Sequence, residues 1–232
     1  MENISYRYIL NRLDFKKDIF IIHGLFEYPG VYEKTAQRLS DNGYKAHLIG
    51  MQGFGNLYAA KEALDFYSVF EFLERTVSSD YVLFGSCLGA VIAASFSIKT
   101  EKKPSKLILS SPLLLDRESS YGSLGIDELN LRRDIRVKMY KDPYINKSFE
   151  KPLIKKVIKE TEFILDNTDR LNMPVYVLRT PRDTLLNDQA VNKIKKCKNI
   201  KVSIIKSEDR MLFYNPLSYE QAQTELEHIL SE

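Results

Sequence analysis

The residues best able to do chemistry in this 232-residue chain are gathered in one stretch, Tyr81-Val82-Leu83-Phe84-Gly85-Ser86-Cys87-Leu88-Gly89-Ala90-Val91-Ile92-Ala93. An apolar, strand-like run enters a turn in which Gly85 and Gly89 stand two places on either side of Cys87, and small residues then open a helix. Gly-x-nucleophile-x-Gly is the pattern of a sharp strand-to-helix turn. Its glycines let the two elements approach closely, and its central side chain is presented at the top of a sheet. A cysteine there points to acyl transfer through a thioester. A free thiol ionises near pH 8.5, and a helix N-terminus or a nearby cation lowers that value. Ser86 is one place off the centre, so the turn directs its hydroxyl away from the site. The competing account of Cys87 is a small residue packed at a tight turn.

Short β-branched and aromatic runs alternate with longer helical patterns, which predicts an α/β fold with a mainly parallel sheet covered on both faces. The expected strands are Tyr6–Leu10, Asp18–Ile22, Lys45–Ile49, Asp80–Phe84, Lys106–Ser110, Val175–Arg179 and Lys201–Ile205, seven in all. Helical spacing marks Tyr32–Asn42, Tyr58–Val77, Gln189–Lys196 and Ser218–Leu230, the last with Ser218 as its N-cap after Pro216. Between the fifth and sixth strands, residues 113–171 form a segment of nearly 60 residues with helical fragments at Leu129–Tyr140 and Leu153–Asp166. A plain crossover needs far less chain. The segment reads as a helical cap inserted into a core made of residues 1–112 and 172–232. Under it, Leu113, Leu114, Leu115, Tyr121, Tyr140 and Tyr144 are candidates for an acyl pocket or for packing.

A second stretch, Ile19-Phe20-Ile21-Ile22-His23-Gly24-Leu25-Phe26-Glu27, is a strand ending in His-Gly. With Tyr32 and the helix after it, the Gly53-Phe54-Gly55 turn, the Cys87 turn, Asp142-Pro143 and a late strand followed by an aspartate, the chain resembles the α/β-hydrolase superfamily. The resemblance is to its monoacylglycerol lipase and lysophospholipase-like (serine aminopeptidase-like) branch. It covers nearly the whole chain, with a short N-terminus that omits the superfamily's first strand. It implies an α/β-hydrolase fold and backbone amides of Leu25 and Leu88 as an oxyanion hole, with His23 and Gly24 supporting that loop. It also implies Asp183 as the acid that orients a catalytic histidine.

The histidine position itself, in the loop after the last strand, is Arg210. Arginine stays protonated, so it cannot take a proton from a nucleophile or hand one to a leaving group. Three accounts of Arg210 compete: an ion pair with Asp183 in the vacated place, an anchor for an anionic substrate, and a surface residue with the alignment displaced. The first is favoured. A second departure is Gly50, where the branch usually has an aspartate ahead of the Gly-x-Gly turn. The other histidines offer little: His23 could form a dyad with Cys87 only if its ring turns into the pocket, His47 reads as a core residue, and His228 as a surface one.

Composition narrows the remaining classes. Charged residues are 28% of the chain with a net charge of +3, an ordinary mixed surface that gives no support to nucleic-acid binding. Lys193, Lys195, Lys196, Lys198 and Lys201 read as a solvated helix face. Two distant cysteines, Cys87 and Cys197, make neither a disulfide framework nor a zinc site, so no metal or other cofactor is expected and a reducing cytoplasm fits. No run approaches the ~18 apolar residues of a membrane span, and no stable membrane insertion is expected. The expected function is hydrolysis or transfer of an acyl ester or thioester through Cys87, weakened or altered by Arg210, on a small-molecule substrate. The alternative is an inactive hydrolase-fold module that binds a small molecule or a protein. The oligomeric state is not legible.

Overall fold

The computed structural model describes residues 4–10, 14–55, 65–115, 123–129, 131–181, 183, 185, 186 and 188–232. All seven expected strands form one sheet. In chain order they are β1 (Ile4–Ile9), β2 (Lys17–Ile22), β3 (Tyr44–Met51), β4 (Tyr81–Ser86) and β5 (Lys106–Ser110). A separate pair, β6 (Ser123–Gly125) and β7 (Ser148–Glu150), comes next, followed by β8 (Val175–Arg179) and β9 (Ile200–Ile204). The sheet order is β1-β3-β2-β4-β5-β8-β9, parallel throughout except for β1, which runs antiparallel along β3. β6 and β7 form their own antiparallel ribbon between β5 and β8.

Helices cover both faces. α1 (Glu33–Asp41), α2 (Phe66–Thr76), α3 (Leu88–Lys99), α4 (Arg133–Lys141), α5 (Lys151–Asp166), α6 (Asp188–Lys195) and α7 (Pro216–Ser231) follow in chain order. α1 and α7 pack their apolar sides on one face, over Ile19, Leu48, Phe84 and Ile108. α2, α3, α5 and α6 share a second, larger core on the other. α3 is buried from Leu88 to Ile98, which explains why its sequence has no polar stripe: a helix sandwiched between a sheet and other helices is apolar all round.

The differences from expectation are local. β6 and β7 span three residues each, too few for an alternating pattern to declare itself. α2 begins at Phe66, capped by Asp65, whose side chain accepts from the Tyr67 amide at 3.0 Å; the earlier part of the expected helix, 58–64, lies outside the described residues. α7 begins two residues ahead of Ser218: Asn215 is its cap, accepting from the Leu217 amide at 2.9 Å, with Pro216 in the first turn. The Ser218 hydroxyl is spent instead on the Leu212 carbonyl at 2.9 Å.

Candidate active site

The carboxyl ends of β2, β4, β5 and β8 converge on Cys87. The residue sits between β4 and α3 at φ 50°, ψ −110°, a backbone region that costs a non-glycine residue free energy and is held only when its surroundings enforce it. The surroundings do. The Cys87 amide donates to the Ser110 carbonyl at 2.8 Å, and its carbonyl accepts from Leu113 at 3.1 Å and Ala90 at 3.2 Å. Gly85 and Gly89 are required by contact: a Cβ on Gly85 would lie 2.3 Å from the Gly89 carbonyl oxygen, and one on Gly89 2.1 Å from that of Ile22.

Around Cys87 lie the two segments expected to supply amides. The Leu25 amide is directed at the Cys87 sulfur. Leu88 opens α3, where the first four amides of a helix lack intrahelical acceptors. Gly24 lies so close to Cys87 that a Cβ on it would come 2.5 Å from that of the cysteine. Ser86 faces away, donating to Glu27 at 3.5 Å.

Arg210, from the loop after β9, is buried beside Cys87 at 4% exposure. Its guanidinium spans the site: Nη1 donates to Cys87 Sγ at 3.6 Å, Nη2 donates to the Ser111 carbonyl at 2.7 Å, and Nε lies 3.1 Å from Asp183 Oδ1. The last contact is an ion pair without the direction of a hydrogen bond, and Asp183 Oδ2 has no donor among the described residues. Asp183 Oδ1 also accepts from the Leu185 amide at 3.3 Å. Arg210 is thus ion-paired with Asp183 and is not a surface residue. Burial opposes its charge, but Asp183, Cys87 and Glu27 together hold it protonated.

The expected thiolate is not what this arrangement favours. Burial is the largest influence on Cys87 and pushes its thiol up; the nearby Arg210 charge and the Leu25 amide pull it down, and Glu27 and Asp183 push it up again.

No histidine serves Cys87. Both ring nitrogens of His23 are engaged, Nδ1 with the Gly24 carbonyl at 3.0 Å and Nε2 accepting from the Met51 amide at 3.3 Å, so it braces the loop and the dyad is excluded in this conformation. Burial pushes its pKa down to about 4. A histidine whose folded pKa lies below its unfolded value near 6.5 is buried neutral, so the folded state binds fewer protons and stability is lost as pH falls from 6.5 towards 4. The expected loss is about 3 kcal/mol by pH 4, absent in His23→Gln, read as the difference between urea midpoints of the two proteins across that range. His47 is buried and contacts Asp18 and Tyr6, and His228 is exposed beside Glu232.

Sequence reasoning missed Glu27, 1% exposed, whose Oε2 accepts from the Gly24 amide at 2.6 Å and from the Tyr32 hydroxyl at 2.9 Å. Its burial raises its pKa. A carboxylate three residues after the His-Gly pair, with Tyr32 five further on, was the available signal. Leu113, Leu114 and Leu115 are buried, but Tyr140 and Tyr144 are each 45% exposed and do not line an interior pocket. Tyr140 donates to Asp127 at 2.8 Å, and Tyr144 lines a surface groove of about 350 Å³ with Tyr6, Tyr28 and Phe54. Tyr121 lies outside the described residues. In the lysine cluster, Lys193 pairs with Asp166 at 3.2 Å and Lys201 with Glu232 at 2.6 Å, and Lys196 and Lys198 are exposed.

Comparison with known proteins agrees with the fold. Monoacylglycerol lipase from Paleococcus ferrophilus superposes with a TM-score of 0.81 at 19% identity, covering 99% of this chain and 98% of that one. A soluble variant of monoglyceride lipase from Saccharomyces cerevisiae gives 0.79 at 15% identity, covering 98% and 90%. A carboxyl esterase from Bacillus coagulans gives 0.79 at 11% identity, covering 99% and 94%. A search of curated proteins finds no sequence match. Residues 14–203, most of the chain, match the family of serine aminopeptidase, S33, and with the sheet order and the turn at Cys87 this places the chain in that family of α/β-hydrolases.

Proposed function

We propose that this lipase- and esterase-like protein accepts an acyl group on Cys87 and releases it to water poorly, acting as a slow hydrolase or as an acyltransferase. The observation that carries the reading is the pairing of an oxyanion amide aimed at a cysteine in a strained turn with an arginine where a base would stand. With a thioester donor, Cys87 Sγ adds to the carbonyl carbon while the developing oxyanion takes the Leu25 and Leu88 amides. The bond to the leaving sulfur then breaks, and the Cys87 proton departs with it as a free thiol. No base is consumed overall, so this step survives the loss of a histidine. Hydrolysis of the resulting thioester needs a water made nucleophilic, and Arg210 cannot do that. In this reading the segment between β5 and β8 is a cap that must open, since Cys87 is 3% exposed. Among the described residues no helix is long and apolar enough to cross a membrane, and a small-molecule acyl substrate fits.

Incubation with acetyl and longer thioesters followed by intact-mass spectrometry tests the reading. A single acyl adduct that disappears in Cys87→Ala is expected; no adduct, or one that persists in the variant, overturns it. One observation favours a second reading, an inactive module that binds rather than transforms its ligand: burial keeps the Cys87 thiol protonated while Arg210 and Asp183 satisfy each other.

A further inference from the structure

We propose that Phe26 limits the acyl group that Cys87 accepts to short chains, from acetyl to about butyryl; the inference rests on the acyl reading above. Three non-glycine residues among those described have positive φ, namely Phe26 at 59°, Cys87 at 50° and Ser111 at 40°, and all three surround the site. Ser111 gives its carbonyl to Arg210, and Cys87 is the proposed acyl acceptor. Phe26 directly follows Leu25, whose amide points at the Cys87 sulfur.

The left-handed region is one glycine enters freely and a bulky side chain does not. A phenylalanine kept there is held by its ring, and the ring contacts say what holds it. Phe26 is fully buried, its ring edge-to-face with Phe149 of β7 at 5.1 Å. Phe149 stacks on Phe54 at 5.3 Å, and Phe54 lies 5.1 Å from the His23 ring. The aromatic chain therefore joins the oxyanion loop, the segment between β5 and β8, and the Gly53-Phe54-Gly55 turn.

A carbonyl seated with its oxygen on the Leu25 and Leu88 amides and its carbon on Cys87 Sγ has its acyl tail confined between the oxyanion loop and the overlying segment. Phe26 belongs to the first and touches the second. In this proposal a tail running along the loop meets the Phe26 ring, and a long one has to displace Phe26 from Phe149.

Space at Cys87 can be measured apart from catalysis with alkyl methanethiosulfonates, which turn the thiol into a mixed disulfide and release methanesulfinic acid. In a Cys197→Ser background, with each rate referred to that of free cysteine, the methyl reagent is expected to modify Cys87 about tenfold faster than the octyl reagent. Phe26→Gly is expected to bring the two within about twofold, and Phe149→Leu, which leaves the loop backbone untouched, to narrow the ratio as well. Equal rates in the parent, or a ratio unchanged in both variants, overturns the proposal. Acetyl and octanoyl thioesters follow on the same proteins. If the disulfide ratios behave as expected and no acyl adduct forms, the size limit stands and the acyl reading fails; adducts whose acetyl preference is unchanged by Phe26→Gly and Phe149→Leu overturn the size limit alone.

Discussion

Replacing Arg210 by histidine is expected to raise hydrolysis of an activated ester such as p-nitrophenyl acetate by about two orders of magnitude. General-base catalysis contributes about 10²–10⁴-fold. Asp183 stands where it can accept from one ring nitrogen, Cys87 lies on the other side of the guanidinium, and the Leu25 amide is directed at the sulfur. The lower end of the range is the appropriate expectation, because an imidazole is shorter than the arginine side chain and the loop has to meet it. Burst and steady-state rates measure the gain, and the pH profile should acquire an inflection in the ordinary range of histidine. No gain would mean that the loop geometry has moved away from catalysis, and would favour the binding reading over the acyl one.

The second large effect is on stability. Asp183→Ala is expected to cost about 3–5 kcal/mol, because removing one partner of a buried ion pair leaves the other charge without compensation. The side chains of Arg210 and Asp183 are 3% and 0% exposed, so water cannot take over. Glu27 also faces Arg210 and makes the lower part of that range the more fitting one. Replacing both residues together, Asp183→Leu with Arg210→Met, is expected to recover most of the loss, since an apolar pair of similar volume carries no desolvation cost. Urea midpoints for the two proteins decide the point; equal destabilisation by the single and double changes would show that the pair is not acting as a unit. Asp183→Ala should also make Cys87 more reactive, since the carboxylate pushes the thiol up and the uncompensated guanidinium pulls it down.

The sheet was readable because each strand is an uninterrupted apolar or alternating run with glycine, proline or polar residues at its ends, as in Lys106–Ser110 and Val175–Arg179. The Cys87 turn was readable because Gly85 and Gly89 answer to steric contacts that no other residue satisfies. The Arg210–Asp183 pair followed once the loop after β9 was assigned to the site. What escaped depends on distant chain. The rise in the Cys87 thiol comes chiefly from its burial in the folded chain, which its neighbours in sequence do not state. Phe26 carries no mark of its backbone conformation, because a phenylalanine after a strand normally signals only packing, and Glu27 reads as a surface charge until Tyr32 and Gly24 are folded against it.

The pairing of α1 with α7 joins elements far apart in sequence. Arg38 meets Glu220 at 2.7 Å and Glu227 at 3.0 Å, Lys34 meets Glu220 at 2.8 Å, and the Tyr44 hydroxyl reaches the Leu230 carbonyl at 2.9 Å. On the ribosome, α1 and the strands beneath it are made long before α7 exists. At ordinary rates of synthesis the interval is about ten to thirty-five seconds. Until α7 is made, the apolar sheet face that builds up from Ile19, Leu48, Phe84 and Ile108 lacks that helix. A nascent chain that lacks α7 thus carries an open, aggregation-prone face rather than a slightly shortened fold.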